Sequence, residues 1–151
     1  MPGGSPRRGS GREVASVAWL DHVGLNVRDL DGTAAFYREA FGYREQLRMQ
    51  LADLDLSFVM LVDDDGRRFE LLARSTGAPG LRAGTPVEAV GTWGLGHVAF
   101  RVEDLAGAFA RLLELGATEV LDPRPSPEEG FDFAWVHDPE GNLVELIAAS
   151  R

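Results

Sequence analysis

A chain of 151 residues, 44% hydrophobic and 26% charged, has the makeup of one globular domain or of two small modules sharing one core. Its net charge of −9 speaks against a nucleic-acid partner, whose phosphates need a basic face. No apolar run approaches the roughly 18–20 residues of a bilayer span, so no membrane partner is expected. The absence of cysteine excludes disulfides, thiolate catalysis and sulfur-ligated zinc, and fits a cytoplasmic setting.

The chain opens with "MPGGSPRRGSGREVAS", Gly/Ser/Pro/Arg-rich and without an apolar core, which reads as a disordered tail over residues 1–16 rather than a secretory leader. "WLDHVGLNV" alternates and is rich in Val and Leu, the pattern of a strand. Asp29 or Asp31 can then N-cap "DGTAAFYREAFG", with Gly42 as its stop. "REQLRMQL", "LSFVMLV", the turn "DDDG" and "RRFELLA" follow, giving β-α-β-β-β over residues 17–74. The Gly/Pro-rich segment 75–94 reads as a linker or a functional cover. The same order then returns over residues 95–150: "LGHVAFRV", the helix "EDLAGAFARLLELG", "ATEVLD", the irregular "PRPSPEEG", "FDFAWVH", the turn "DPEG" and "NLVELIA".

The return is a duplication. "DHVGLNVRDLDG" at 21–32 and "GHVAFRVEDLAG" at 96–107 share six of twelve positions at an offset of 75 residues. At the same offset "GRRFELLA" meets "GNLVELIA", so His22 to Glu70 and His97 to Glu145 both span 48 residues. The fold class that follows is α+β: two tandem βαβββ modules.

Strand alternation sets Val23, Leu25 and Val27 on one face, with His22, Gly24 and Asn26 on the other. In the repeat, Val98, Phe100 and Val102 oppose His97, Ala99 and Arg101. Glu70 and Glu145 lie in apolar strands, where an uncompensated carboxylate is costly. Pseudo-twofold pairing of the modules would gather His22, Glu70, His97 and Glu145 at one point. Two imidazoles and two carboxylates suit Ni, Co, Mn, Zn or Fe(II) with a coordination position left for water or substrate. Arg101, on the His97 face, is a candidate for an anionic substrate, and Asn26 is its counterpart in the first module. Arg82 and Arg124 fall in the irregular stretches, and His137, beside the turn "DPEGN", reads as structural.

These residues and phrases resemble the vicinal oxygen chelate superfamily of glyoxalases, bleomycin-resistance proteins and dioxygenases, from residue 18 to residue 149. The resemblance implies sheets curled into a cup around a divalent metal held by His22, Glu70, His97 and Glu145. Extradiol dioxygenases and fosfomycin-resistance transferases use the positions of His22, His97 and Glu145 alone. Glyoxalase I and methylmalonyl-CoA epimerase use four, so the presence of Glu70 favours that group. Epimerases usually place Gln at the Glu70 position and a separate Glu base on the third strand. Here that strand, "LSFVMLV", has no acid, although the 27 residues from Glu70 to His97 resemble the epimerases' long joint. By resemblance to glyoxalase I, Glu145 is the first choice of catalytic base and Glu70 the second. The expected protein is a homodimeric lyase or isomerase acting on a small molecule. An Fe(II) dioxygenase and a non-catalytic antibiotic-binding protein are the alternatives of the same fold.

Overall fold

A computed structural model describes residues 19–150; the tail expected over residues 1–16 lies outside them. The first module runs β1 (His22–Asn26), α1 (Leu30–Phe41), β2 (Arg44–Leu51), a 3-10 turn (Ala52–Leu54), β3 (Leu56–Val62) and β4 (Arg68–Ala73). A one-turn helix, α2 (Pro86–Ala89), interrupts the segment that follows. The second module runs β5 (Val98–Arg101), α3 (Leu105–Glu114), β6 (Thr118–Pro125), β7 (Phe131–His137) and β8 (Leu143–Ala149). Each module forms one four-stranded mixed sheet, ordered β1-β4-β3-β2 and β5-β8-β7-β6, in which only the first pair is parallel. The α+β tandem βαβββ fold is thus present. Among the described residues the two sheets are separate and do not close on one another.

The duplicated phrase "DL-x-G" is explained by helix capping. Asp29 Oδ1 accepts from Gly32 N at 2.9 Å, and Asp104 Oδ1 from Gly107 N at 3.2 Å. A Cβ on either glycine would press on the capping carboxylate as it is now placed, so the aspartate would have to shift to admit a larger residue. The caps start α1 at Leu30, so Asp29 rather than Asp31 fills the role.

One core serves both modules. Phe36, Tyr37, Val59, Leu61, Phe69 and Leu71 of the first join Phe109, Leu112, Val136, Val144 and Leu146 of the second. Phe100, from β5, stacks on Phe41 with ring centroids 4.0 Å apart and meets Tyr37, Tyr43 and Phe69. The side chains that hold the modules together therefore come from the faces opposite His22 and His97.

A polar clasp lies beside this core. Asp138, only 2% exposed, accepts the Tyr37 hydroxyl at 2.9 Å and the backbone N–H groups of Glu140 and Asn142. The turn after β7 is thereby docked on α1. Burial, reinforced by the Asp138 charge, pushes the Tyr37 phenol well above its usual 10.0. Tyr37→Phe removes a charge-assisted hydrogen bond while Asn142 Nδ2 still serves the same oxygen. A loss of about 1.5–3 kcal/mol, towards the lower figure, is expected in denaturant titration at neutral pH. Because the folded phenol holds its proton more tightly than the unfolded one, its contribution is complete below pH 10.0 and is lost as pH climbs through the raised value. The Phe variant should lack that alkaline decline.

The segment 75–94 is more than a linker. Ala83 and Ala89 are buried against Trp135 and Leu143, with Leu81, Leu121 and Phe133 packed around them. His137 Nε2 lies 2.8 Å from the Ala83 carbonyl and secures the segment to β7. Residues of "PRPSPEEG" also depart from the irregular reading, because β6 continues to Pro125 across two register shifts.

Candidate metal centre

Sheet register fixes which side chains share a face with the histidines. In the first sheet, Gly24 pairs with Glu70, Glu70 with Met60 and Met60 with Leu47. In the second, Ala99 pairs with Glu145, Glu145 with Trp135 and Trp135 with Leu121. Side chains of directly paired residues lie on the same side of a sheet. Each glutamate therefore stands in a cross-strand row at the centre of the face that bears its histidine.

His22 Nε2 lies 3.5 Å from Glu70 Oε2, and His97 Nε2 lies 3.5 Å from Glu145 Oε2. The two half-sites are copies in geometry as well as in sequence. Donor atoms each about 2.1 Å from one cation sit roughly 3.0–3.4 Å apart at tetrahedral or octahedral angles, so each pair needs almost no movement to share an ion. The surroundings fit the same conclusion. The Glu70 and Glu145 side chains are 18% and 16% exposed, and among the described residues neither accepts a conventional hydrogen bond. A half-buried carboxylate without a donor calls for a cation. Burial pushes the Glu145 carboxyl upward, Glu128 adds to this and His97 opposes it.

What the chain does not do is gather four ligands at one point. Among the described residues no group of three or more His, Asp or Glu side chains is arranged to hold a metal. His22 with Glu70 and His97 with Glu145 remain two pairs on two sheet faces, the second partly covered by the segment around Ala83 and Ala89. The reason is the shared core: packing through Phe100 joins the modules by their helix-bearing sides and leaves the ligand faces outward.

The remaining candidates sort by register. Arg101 pairs with Ile147, Ile147 with Phe133 and Phe133 with Arg124, one row along from Glu145. Arg101 lies over the Phe131 ring at 4.7 Å, and no carboxylate comes within 4.0 Å of it among the described residues. Arg124, expected in a loop, sits in this strand row and is ion-paired with Asp122. Asn26 is exposed on the His22 face, beside Leu72. Arg82 lies close to the turn at Gly141. Asp55 accepts from the Ser75 hydroxyl, away from the ligand row.

One partner escaped the sequence. Asp21 Oδ2 accepts from His22 Nδ1 at 2.7 Å and from Arg68 Nη1 at 2.8 Å. The only signals for it were a carboxylate beside His22 and an arginine two residues before Glu70. The parallel register of β1 and β4 is what brings them together.

With fold and geometry in hand, residues 19–146 match the Glyoxalase/Bleomycin resistance protein/Dioxygenase superfamily, and the chain belongs to it. It is 26% identical over 134 residues to a probable lactoylglutathione lyase of Synechocystis sp., covering 87% of this chain and 96% of that protein. It is 29% identical over 137 residues to an ethylmalonyl-CoA/methylmalonyl-CoA epimerase of Cereibacter sphaeroides, covering 86% and 97%. Among solved structures, a glyoxylase/bleomycin resistance protein/dioxygenase domain from Frankia sp. superposes with a TM-score of 0.71 at 25% identity, covering 89% of this chain and all of that one. No helix among the described residues is long and apolar enough to cross a membrane.

Proposed function

We propose that this chain is a divalent-metal-dependent lyase or isomerase of the glyoxalase type, which removes a proton from the carbon beside a carbonyl. The observation that carries the reading is the pair of His–Glu half-sites, each 3.5 Å across, at matching positions of two duplicated sheets. Glu70 takes part as fully as Glu145, which favours the four-ligand chemistries over a three-ligand oxygenase.

The working unit is a homodimer in which the first module of each copy faces the second module of the other. Twofold pairing then gives two equal sites, each with His22 and Glu70 from one copy and His97 and Glu145 from its partner. The outward faces favour it: Leu47 and Met49 are exposed in the rows of Glu70 and its neighbour, and so are Trp19, Leu20, Trp93 and Leu95 just before the two His segments. Apolar surface of this kind marks an interaction site.

When bound, the cation supplies a Lewis acid that draws charge from the substrate carbonyl. Glu145 accepts the proton from the adjacent carbon and returns it to a neighbouring carbon on the same face, whereas protonation from the opposite face would draw on Glu70 of the other half-site. Glu70 is the second candidate for that duty. Arg101 holds an anionic group on the substrate and Asn26 offers a neutral amide at the equivalent place on the other face. Trp135 and the segment around Ala83 and Ala89 keep water from one side of Glu145. Hemithioacetals and acyl-CoA-like thioesters are the substrate class that combines an acidified carbon with anionic groups.

The test is solvent deuterium exchange at that carbon, followed by NMR with protein loaded with Ni, Co, Mn or Zn. Exchange that depends on the metal supports the proposal. Ferrous-dependent oxygen uptake on a catechol, with no exchange on any carbonyl substrate, would overturn it.

A further inference from the structure

The two half-sites are equal in their ligands and unequal in what stands behind them. Behind His22 is a relay of two links, Arg68 Nη1 to Asp21 Oδ2 at 2.8 Å and Asp21 Oδ2 to His22 Nδ1 at 2.7 Å. The equivalents in the second module are Gly96 for Asp21 and Leu143 for Arg68, so no such relay exists there. His97 instead rests edge-on against Trp135, with ring centroids 4.7 Å apart.

We infer that Asp21, anchored by Arg68, is a positioning residue that fixes His22 with its proton on Nδ1 and its Nε2 lone pair toward Glu70. The inference rests on the metal-dependent reading above and adds that the first module is prepared for the ion while the second is not.

The argument is one of donors and acceptors. A carboxylate only accepts, so the ring nitrogen 2.7 Å from Asp21 Oδ2 must be the one bearing hydrogen. The other nitrogen, 3.5 Å from Glu70 Oε2, is the one left to meet the ion, and in the neutral ring that binds a metal it carries the lone pair. Arg68 stops Asp21 from swinging away, and its position is set by register, since His22 pairs with Arg68 across β1 and β4. The Asp21 side chain is more than half exposed and lies outside the core, so it has no packing role that would account for its placement. For His97 no acceptor stands at the second nitrogen among the described residues, and aromatic packing alone orients the ring.

Partners of this kind typically contribute about 10- to 100-fold to metal affinity. In the metal-free protein labelled with 15N-histidine, at a pH where the correlation pattern shows a neutral ring, long-range proton–nitrogen correlation should show His22 protonated at Nδ1 and not at Nε2. In Asp21→Ala that assignment should give way to a mixture or to Nε2–H. Zinc and cobalt affinity, measured by competition with a chromophoric chelator, should fall about 10- to 100-fold in the same variant. Asp21→Asn, which keeps an acceptor oxygen without the charge, should fall between the two. Arg68→Leu, the residue of the second module, should move both readouts in the same direction and less far. Asp21→Ala with His22 still protonated at Nδ1, or with unchanged affinity, would overturn the inference. If the wild-type protein bound no divalent ion, the metal-dependent reading would fail, and the tautomer of metal-free His22 would still decide whether Asp21 positions it.

Discussion

Two metal-dead variants should restore metal binding when mixed. One carries His22→Ala and Glu70→Ala and the other His97→Ala and Glu145→Ala, so each alone keeps only one kind of half-site. If the sites form across a homodimer, a heterodimer has one site with both halves mutated and one with both intact. Random reassociation makes half of all dimers mixed, so about a quarter of the wild-type metal content should return. A site built within one chain would return none, because each chain lacks one half. The expectation follows from two observations: the half-sites are complete as pairs, and no group of three ligands assembles among the described residues. Metal analysis of the mixed sample after partial unfolding and refolding reads the result, with activity as a second measure. Sedimentation of the wild type checks the premise, since a monomer at working concentration that binds metal fully would refute the shared site.

The parts that were legible in the sequence are those that depend on periodicity. The 75-residue offset and the alternation of apolar and polar residues were enough to place His22 opposite Val23 and to assign Glu70 and Glu145 to matching strands. The relation between the modules was not legible, because it depends on Phe100 fitting among Tyr37, Phe41, Tyr43 and Phe69, a matter of tertiary packing. That fit turns the ligand faces outward and separates the expected quartet into pairs. Asp21 was missed for a related reason. An aspartate beside a histidine has many possible partners, and only the parallel register of β1 with β4 selects Arg68. The segment 75–94 hid its packing because Ala83 and Ala89 are small and follow no helical or strand period.

Glu145→Gln should lower deuterium exchange by about 10²- to 10⁴-fold per bound metal ion, the range that a positioned general base contributes. Counting per bound ion is needed because glutamine is also the poorer ligand, and metal content must be measured in the same sample. Glu145 is preferred to Glu70 because it stands beside buried Trp135, over which the segment around Ala83 and Ala89 packs; in the metal-free protein burial, opposed by His97 and reinforced by Glu128, pushes its carboxyl upward. Glu70→Gln should therefore cost less. The raised carboxyl has a consequence for stability in the metal-free protein. A group that holds its proton more tightly folded than unfolded contributes stability below its ordinary 4.5 and loses it as pH rises through the raised value. Melting temperatures of wild type and Glu145→Gln, compared from pH 4 to pH 7 in the presence of chelator, should diverge in that direction, with the variant gaining relative to wild type as pH increases. Exchange that persists at the wild-type rate per ion in Glu145→Gln would transfer the duty to Glu70, and the double variant would then be the one to abolish it.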